Sequence, residues 1–446
     1  MTPVSAERGP DATAPSVSVI IATYNWSSAL RCAVRSVLGQ TFQDFELLVV
    51  GDHCTDDSRA VVESFRDARL RWFNLQTNVG SQTGPNNHGL RQARGDWIAY
   101  LGHDDVWAPW HLETTLAAAR AERAEAAAGG LISYGPPGSN QYLVAGLVAA
   151  GGWTDDDFVP PSALVHRRDL IERIGAWRMP DELALPVDCD FFQRVRAAGR
   201  LAATGEVSVF KFNASMRRNA YQQRASSEQE RCLEGLQEGG RYVAREMARL
   251  FTARSSGGGA YRTMMPDASG RRPGELHRAN RLAKGVDPRF DASEVRPLEA
   301  PARFGLERQP ELFEWHRLEG EGASSFRWTS TSPVSTIELP VKPDRPIGIE
   351  VHIGAAIRPE FVDSLSLAVE GVRIDTTIRK SGTGWIVSGV MDPQAVRPAA
   401  AYLQIQLRGL QCARPVDLGL GPDRRSLGVA VGWVGLAPLA GVVAAT

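Results

Sequence analysis

Short apolar runs alternate with helical stretches between residues 17 and 101, and this alternation restricts the fold more than any other feature of the chain. Val17-Ser18-Val19-Ile20-Ile21-Ala22-Thr23 is compact and β-branched, as expected of a strand buried on both faces. Ser27 or Ser28 can cap a helix to about Gln40, with Leu30, Val34, Val37 and Leu38 on one face. Phe45 to Val50 reads as a second strand, and Asp56-Asp57-Ser58 opens a helix containing Val61, Val62 and Phe65. Arg69 to Leu75 is a third strand, Asn86 to Arg94 a helix, and Asp96 to Leu101 a fourth strand. Such spacing predicts βαβ units and a Rossmann-like, mostly parallel α/β sheet.

Beyond Pro109 an Ala/Glu/Arg-rich helix is expected to run to about Ala128, then a strand over Leu131 to Tyr134. Residues 135–160 read as surface loops, Ala163 to His166 and Glu206 to Phe212 as strands. Cys189 to Ala198 and Ser227 to Phe251 read as helices. Arg254-Ser255-Ser256-Gly257-Gly258-Gly259 has the composition of a linker. After residue 300 the period changes. Ile347, Ile349, Val351 and Ile353 alternate with small or polar residues, as do Leu403, Ile405 and Leu407, and Leu427, Val429, Val431 and Trp433. Period-2 alternation between turn residues predicts an all-β antiparallel sandwich. The expected organisation is a disordered tail at 1–15, an α/β domain at 16–225, a helix plus flexible linker at 226–300, and a sandwich at 301–446.

The charge balance, 50 Lys and Arg against 51 Asp and Glu, offers no electrostatic reason for nucleic acid as a partner. No apolar run approaches the ~20 residues that span a bilayer. The Pro/Ala/Thr-rich start lacks an apolar core segment, which predicts a tail and no signal peptide. Cys32, Cys54, Cys189, Cys232 and Cys412 are scattered without a Cys-x-x-Cys pair. That suits free thiols in a cytoplasmic protein, including one at the inner face of a membrane.

The chemistry gathers at the ends of the predicted strands. Thr23-Tyr24-Asn25 ends the first, Asp52 the second, Asn78 and Gly80 follow the third, and His103-Asp104-Asp105 ends the fourth. A parallel sheet binds its ligand at that edge. Adjacent carboxylates offer hard oxygen ligands for Mg²⁺ or Mn²⁺, which are held by one or two carboxylates plus substrate phosphates. No Gly-x-Gly-x-x-Gly or Gly-Lys-Ser/Thr loop follows the first strand, so a metal–diphosphate site replaces the usual dinucleotide and P-loop readings. The same aspartates can instead cap the helix near Pro109. A further acidic cluster, Asp188-Cys189-Asp190, opens a helix. Asp188 is read either as its N-cap or as a general base aimed at a hydroxyl.

Taken together, Val17–Asn25, Ser36-Val37-Leu38-Gly39-Gln40-Thr41-Phe42, Phe45–Asp52, Asn78-Val79-Gly80, Asn87-His88-Gly89-Leu90, Gly95–Ile98 and His103-Asp104-Asp105 resemble the family 2 glycosyltransferases, which have the GT-A fold. The resemblance extends from Val17 to about Phe212. It implies that Thr23, Asn25, Asp52, Asn78 and Asp104 bind the nucleotide of a sugar donor, that Asp104 and Asp105 hold Mg²⁺ or Mn²⁺, and that Asp188 is the general base. The implied reaction is inverting transfer of a hexosyl group from a UDP, dTDP or GDP sugar to a glycan, lipid-linked or protein acceptor, as in bacterial surface polysaccharide or glycoconjugate synthesis. Some positions depart from the family's habit. Gly51 and Gly102 stand where relatives often have Asp, Val187 where they often have Glu, and Pro85-Asn86-Asn87 where they often have Ala-Arg-Asn. Lys211, Arg217 or Arg218 are candidates to replace the missing phosphate-binding arginine.

Several residues carry two readings. His166 either lines the acceptor pocket or is structural, and His103 either ligates or shapes its loop. Trp107 and Trp110 stack on sugar or fill the core. Trp315, Trp328, Trp385 and Trp433 form a sugar platform or pack the sandwich. A catalytically silent carbohydrate-binding or scaffold protein is the alternative to an enzyme, and the sandwich is a candidate surface for homo-oligomers. A nucleotidyltransferase would need a triphosphate loop that Tyr24-Asn25-Trp26 does not supply. A glycosidase would need paired carboxylates without a nucleotide site.

Overall fold

The computed structural model describes residues 14–439 apart from 138–140, 149–151, 156, 256–258, 263–270, 288–291, 310–313, 331, 395–402 and 424. The expected tail falls almost wholly outside these residues, as do Ser256, Gly257 and Gly258 of the expected linker. The chain divides into two compact units, Met1–Arg278 and Ala279–Thr446.

In the first unit the apolar runs form β1 (Val17–Thr23), β2 (Phe45–Gly51), β3 (Leu70–Asn74) and β4 (Trp97–Gly102). Between them lie α1 (Ser27–Leu38), α2 (Ser58–Glu63) and α3 (Thr83–Gln92). The strands pair in parallel in the order β3-β2-β1-β4. β1 is therefore central, and Val17, Val19, Ile20 and Ile21 are fully buried, as covering both sheet faces requires. The rest of the unit contains β5 (Asp105–Trp107), α4 (His111–Glu122), β6 (Ala126–Tyr134), β7 (Gln141–Ala145), β8 (Leu164–Arg167), α5 (Leu170–Ile174), α6 (Val187–Ala198), β9 (Leu201–Lys211), α7 (Ala220–Gln223), α8 (Ser227–Leu236), α9 (Gly240–Ser255) and β10 (Gly259–Arg262). From β4 the sheet continues through antiparallel β8 to β6 and β7, and β9 lies parallel to β6 while carrying antiparallel β5. This is the mixed α/β arrangement of a GT-A fold.

Two sequence expectations are corrected here. The helix after Pro109 ends at Glu122, where Arg123 turns into the left-handed region at φ 51°. Ala126, Ala127 and Ala128 then start β6 and pair with β8 and β9. Alanine favours helix, but these small side chains are almost fully buried within the sheet, and tertiary pairing overrides propensity. The long helix expected from Ser227 to Phe251 breaks between α8 and α9, where Gly239 adopts φ 63°. Both helices belong to the first unit. Cys232, Leu236, Tyr242 and Leu250 pack against Val106, Ile132 and Phe210.

The second unit is built from β11 (Ala302–Phe304), β12 (Trp315–Glu319), β13 (Phe326–Thr329), β14 (Val334–Leu339), β15 (Ile347–Ala356), β16 (Ser366–Val369), β17 (Val372–Arg373), β18 (Thr376–Ser381), β19 (Gly384–Met391), β20 (Leu403–Arg408) and β21 (Val429–Pro438). They form two antiparallel sheets, β12-β13-β21-β15-β19-β18 with β11 on β21, and β14-β20-β16-β17. The alternation seen in the sequence is the inside–outside pattern of these strands. Ile347, Ile349, Val351 and Ile353 share one core with Ile405 and Leu407 of the other sheet. Trp315 is a core residue whose indole N–H donates to the Thr336 carbonyl at 3.1 Å, and Trp385 packs against the same core.

Candidate active site

The register of the parallel strands sets Thr23 beside Gly51 and Ala22 beside Gly102, so the ends of β1, β2 and β4 share one edge. Thr23 is buried there, with its hydroxyl 3.0 Å from Nδ1 of His103. The same nitrogen accepts the Tyr24 backbone N–H at 3.2 Å. A backbone N–H only donates, so Nδ1 carries the lone pair, and a neutral ring holds its proton on Nε2. Nε2 lies 3.2 Å from the hydroxyl of Tyr221. His103 thus shapes its loop, and it tethers a side chain from distant sequence to the end of β1. Trp26 packs edge-on to both rings.

Asp52 is buried at the end of β2, and its two carboxylate oxygens accept the backbone N–H groups of Val79 and Gly80, each at 2.8 Å. Gly80 sits at φ 74°, a conformation that glycine adopts without penalty. Asn78 donates its amide to the Asp52 carbonyl at 2.9 Å. Asn25 faces the β2–α2 loop. Its Oδ1 accepts the N–H groups of Thr55 and Asp56 at 2.7 and 3.3 Å. Asn25 and Asn78 therefore hold the loops that present Asp52. The departure at Gly51 also has a physical reason: a Cβ there would stand 2.5 Å from Asn74 Oδ1 and 2.9 Å from the Trp72 ring. Asn74 closes that loop through the Cys54 N–H at 2.8 Å and the Cys54 carbonyl at 3.0 Å.

Asp104 and Asp105 differ sharply. Asp105 belongs to β5, opposite Lys211 of β9, and has no exposed surface. Its Oδ2 accepts from the Ser162 hydroxyl at 2.5 Å and the Lys211 ammonium at 2.9 Å, and its Oδ1 accepts the Phe212 N–H at 3.2 Å. Burial pushes its pKa up to about 6, against the lowering effect of Lys211. Burial alone would lower the pKa of Lys211, but Asp105, Asp104 and Asp188 together hold it above that of an ordinary lysine. Asp104 is 9% exposed, accepts the Ala214 N–H at 3.3 Å, and has its carbonyl bound by Gln229 at 3.1 Å. It also helps raise the pKa of Tyr221, which burial raises most and to which Cys54 and Asp52 contribute. Tyr221 thus senses Asp104 and Asp52 from two strand ends, and Lys211 senses Asp105 and Asp104 together with Asp188 from the start of α6.

Asp188 is half-buried in the first turn of α6. The N-cap position belongs to Pro186, so the capping alternative for Asp188 does not hold. Its carboxylate accepts the neighbouring Cys189 N–H at 3.1 Å. Asp190 is clamped by Arg178 at 3.1 Å and Arg194 at 2.8 Å. Arg217 is tied to Glu228 and to the carbonyls of Tyr134 and Asn213, whereas Lys211 pairs directly with Asp105 at 2.9 Å. His166 is a core residue, bonded to the Arg167 carbonyl at 2.8 Å and placed 3.3 Å from the Tyr100 hydroxyl. Trp107 is likewise buried, donating to the Ser162 carbonyl at 2.6 Å, and Trp110 packs against the core that lies under α8 and α9.

Among the described residues, no group of three or more His, Cys, Asp or Glu side chains stands together as a metal site. A hard divalent cation keeps phosphate and water oxygens beside one or two carboxylates. Of the expected Asp104–Asp105 pair, Asp104 keeps some exposed surface and can meet that requirement. Asp105 is closed to solvent and its Oδ2 already accepts from the Lys211 ammonium, which disfavours it as a second ligand. Sequence reasoning missed Ser162, Tyr221 and Gln229. They come from loops and helices far along the chain, and their positions follow from the pairing of β4 with β8 and of β5 with β9. Lys211 opposite Asp105 is the one partnership with a local signal, a lysine between Val209-Phe210 and Phe212 at the end of a strand.

Residues 18–166 match the family model described as Glycosyl transferase family 2. An uncharacterized glycosyltransferase of Nostoc sp. is 30% identical over 173 residues, covering 35% of this chain and 52% of that protein. The Escherichia coli UDP-Glc:alpha-D-GlcNAc-diphosphoundecaprenol beta-1,3-glucosyltransferase WfgD is 36% identical over 97 residues, covering 22% of this chain and 38% of its own. The chain thus spans about half or less of the length of these curated relatives. The crystal structure of S. aureus TarS 1-349 in complex with UDP-GlcNAc aligns over 44% of this chain and 58% of that one, at 23% identity and a TM-score of 0.37.

Proposed function

We propose that this chain, whose residues 18–166 are a glycosyl transferase family 2 domain, moves a hexosyl group from a nucleoside-diphosphate sugar to an acceptor hydroxyl with inversion at C1. The family match, with the strand register that sets the ends of β1, β2 and β4 and hence Asp52 and Asp104 at one sheet edge, carries this reading, and Asp188 is linked to that edge through its electrostatic influence on Lys211. In it, Asp52, held by Val79 and Gly80, receives an N–H of the donor's base, beside Thr23. Asp188 takes the acceptor's hydroxyl proton as that oxygen attacks C1. The bond from C1 to the diphosphate breaks, and the diphosphate leaves with the electron pair. Lys211 places a positive charge near the departing phosphates. Asp104 and the donor's phosphate oxygens are the groups to hold Mg²⁺ or Mn²⁺, which when bound would neutralise charge on the leaving group.

The proposed donor is a UDP sugar and the proposed acceptor a glycan linked to a polyprenyl diphosphate, supported by the activity of the E. coli relative. With such an acceptor the proposed setting is surface polysaccharide synthesis at the inner face of a membrane. No helix among the described residues is long and apolar enough to cross one. The test is a thermal-shift screen of UDP, GDP, dTDP and CMP with and without Mn²⁺, followed by a transfer assay with the preferred sugar nucleotide. A ligand at 100 times its Kd stabilises the native state by about 2.7 kcal/mol. No stabilisation by any nucleotide would favour the silent scaffold, the reading motivated by Gly51, Asn86 and Gly102.

A further inference from the structure

The outer face of the larger sheet in the second unit carries a trough of about 950 Å³. Its floor follows from strand register. Thr377, Ser388, Glu350, Gly435 and Arg303 lie in one row across β18, β19, β15, β21 and β11. The next row on the same face is Val390, Gly348 and Ala437. The neighbouring positions Ile349, Val387 and Leu436 point inward and are buried. Gly348 at the centre of the second row, with Gly435 and Ala437 on β21, leaves the sheet surface low beside Glu350.

At one flank the guanidinium carbon of Arg303 stands over the Trp433 ring, 3.9 Å from its centroid. The Trp433 ring approaches Gly435, where an added Cβ would meet it at 3.1 Å, and stacks on His352 at 5.2 Å. These contacts hold the indole as a wall of the trough and place a cation against it. At the other flank Val372 and Val390 are 46% and 57% exposed. The floor supplies hydroxyls, with Thr377 and Ser388 bonded to each other at 2.9 Å, and Glu350 is paired with Arg379 at 3.0 Å. Both charge signs line the trough, Arg303 and Arg373 against Glu350, Asp375 and Asp392, with Arg379 beside them.

We infer that this trough binds a neutral oligosaccharide. Balanced charge gives no attraction for a phosphate-rich ligand or a basic peptide. Adjacent donors and acceptors of both kinds suit vicinal hydroxyls, which donate and accept together. The exposed valines meet the C–H faces of sugar rings, and the volume lies in the range of ligand sites. The site belongs to the second unit alone and does not rest on the transferase reading.

Gly348 provides the test. Its backbone is not left-handed, and an added Cβ meets nothing nearer than 3.7 Å, so Gly348→Leu adds a side chain to the trough with no clash at its Cβ. The full chain and the Gly348→Leu and Arg303→Ala variants are titrated by calorimetry with laminarihexaose, cellohexaose and chitohexaose, and their assembly state is measured in parallel. Binding of at least one hexasaccharide is expected, weakened about tenfold or more in both variants, with unchanged thermal stability and assembly state. Absence of binding by all three probes at 10 mM or so, or equal affinity in Gly348→Leu, overturns the inference. Dissociation of an oligomer by Gly348→Leu also overturns it, since a second copy would then be the occupant. Nucleotide binding, read by thermal shift, is expected to be the same in all proteins and separates this outcome from failure of the transferase reading.

Discussion

The Lys211 ammonium stands 2.9 Å from Oδ2 of Asp105, a carboxylate with no exposed surface. The pair joins β5 to β9 and is completed by Ser162 and the Phe212 N–H. Removing one partner of a buried pair leaves an uncompensated charge and typically costs about 3–5 kcal/mol. Lys211→Met is therefore expected to lower unfolding free energy by that order in urea titrations. Asp105→Asn/Lys211→Met, which removes both charges, is expected to recover much of the loss. Additive losses in the double variant would show that the two residues are not coupled.

Metal dependence is expected to follow Asp104. EDTA should weaken binding of UDP, and Asp104→Ala should reproduce that loss in the presence of Mn²⁺ while leaving the protein folded. Calorimetry at fixed Mn²⁺ checks this. Equal UDP affinity for wild type and Asp104→Ala would remove the metal from the proposal.

Asp188→Asn tests the base. Pro186 holds the N-cap position, so the substitution leaves helix capping unchanged. Loss of a general base costs about 10²–10⁴-fold in kcat, with donor KM nearly unaltered. Near-normal turnover would sink the assignment. Asp190, clamped by two arginines, would not be the natural replacement.

Acid sensitivity should come partly from buried histidines. Burial lowers His111 to about 3 and His166 to about 4. Their folded values lie below the unfolded value of about 6.5, so the unfolded state binds protons first. Their contribution is present above pH 6.5 and is lost as pH falls through 6.5 toward 4. For His166 this amounts to roughly 2–3 kcal/mol by pH 4.5. Asp105, raised by burial, has the opposite sign and loses stability as pH rises from about 4 to 6. Urea midpoints measured from pH 7 to 4.5 are expected to fall less steeply for His166→Gln than for wild type. Parallel slopes would mean that His166 does not titrate in this window.

Much of the architecture was legible because it follows from local periodicity. A run such as Val17–Thr23, apolar at all but Ser18 and Thr23, has to lie between two layers, and the alternation of Ile347 to Ile353 has to face one core and one surface. Asp52, Asp104 and Asp188 were legible for a related reason: they sit where strand ends or a helix start place them. What each carboxylate does depends on its neighbours in space, and sequence spacing does not encode those. Asp104 and Asp105 are adjacent in the chain, yet one keeps some exposed surface and the other is sealed against Lys211, because three residues of β5 pair with a strand more than a hundred positions away. Ala126–Ala128 shows the same limit in the fold, since helix propensity counts tenths of a kcal/mol per residue and burial in a sheet outweighs it. Local pattern determined which segments form strands and helices; long-range pairing decided which aspartates meet solvent, because charge and hydrogen-bond partners act through distance and not through order along the chain.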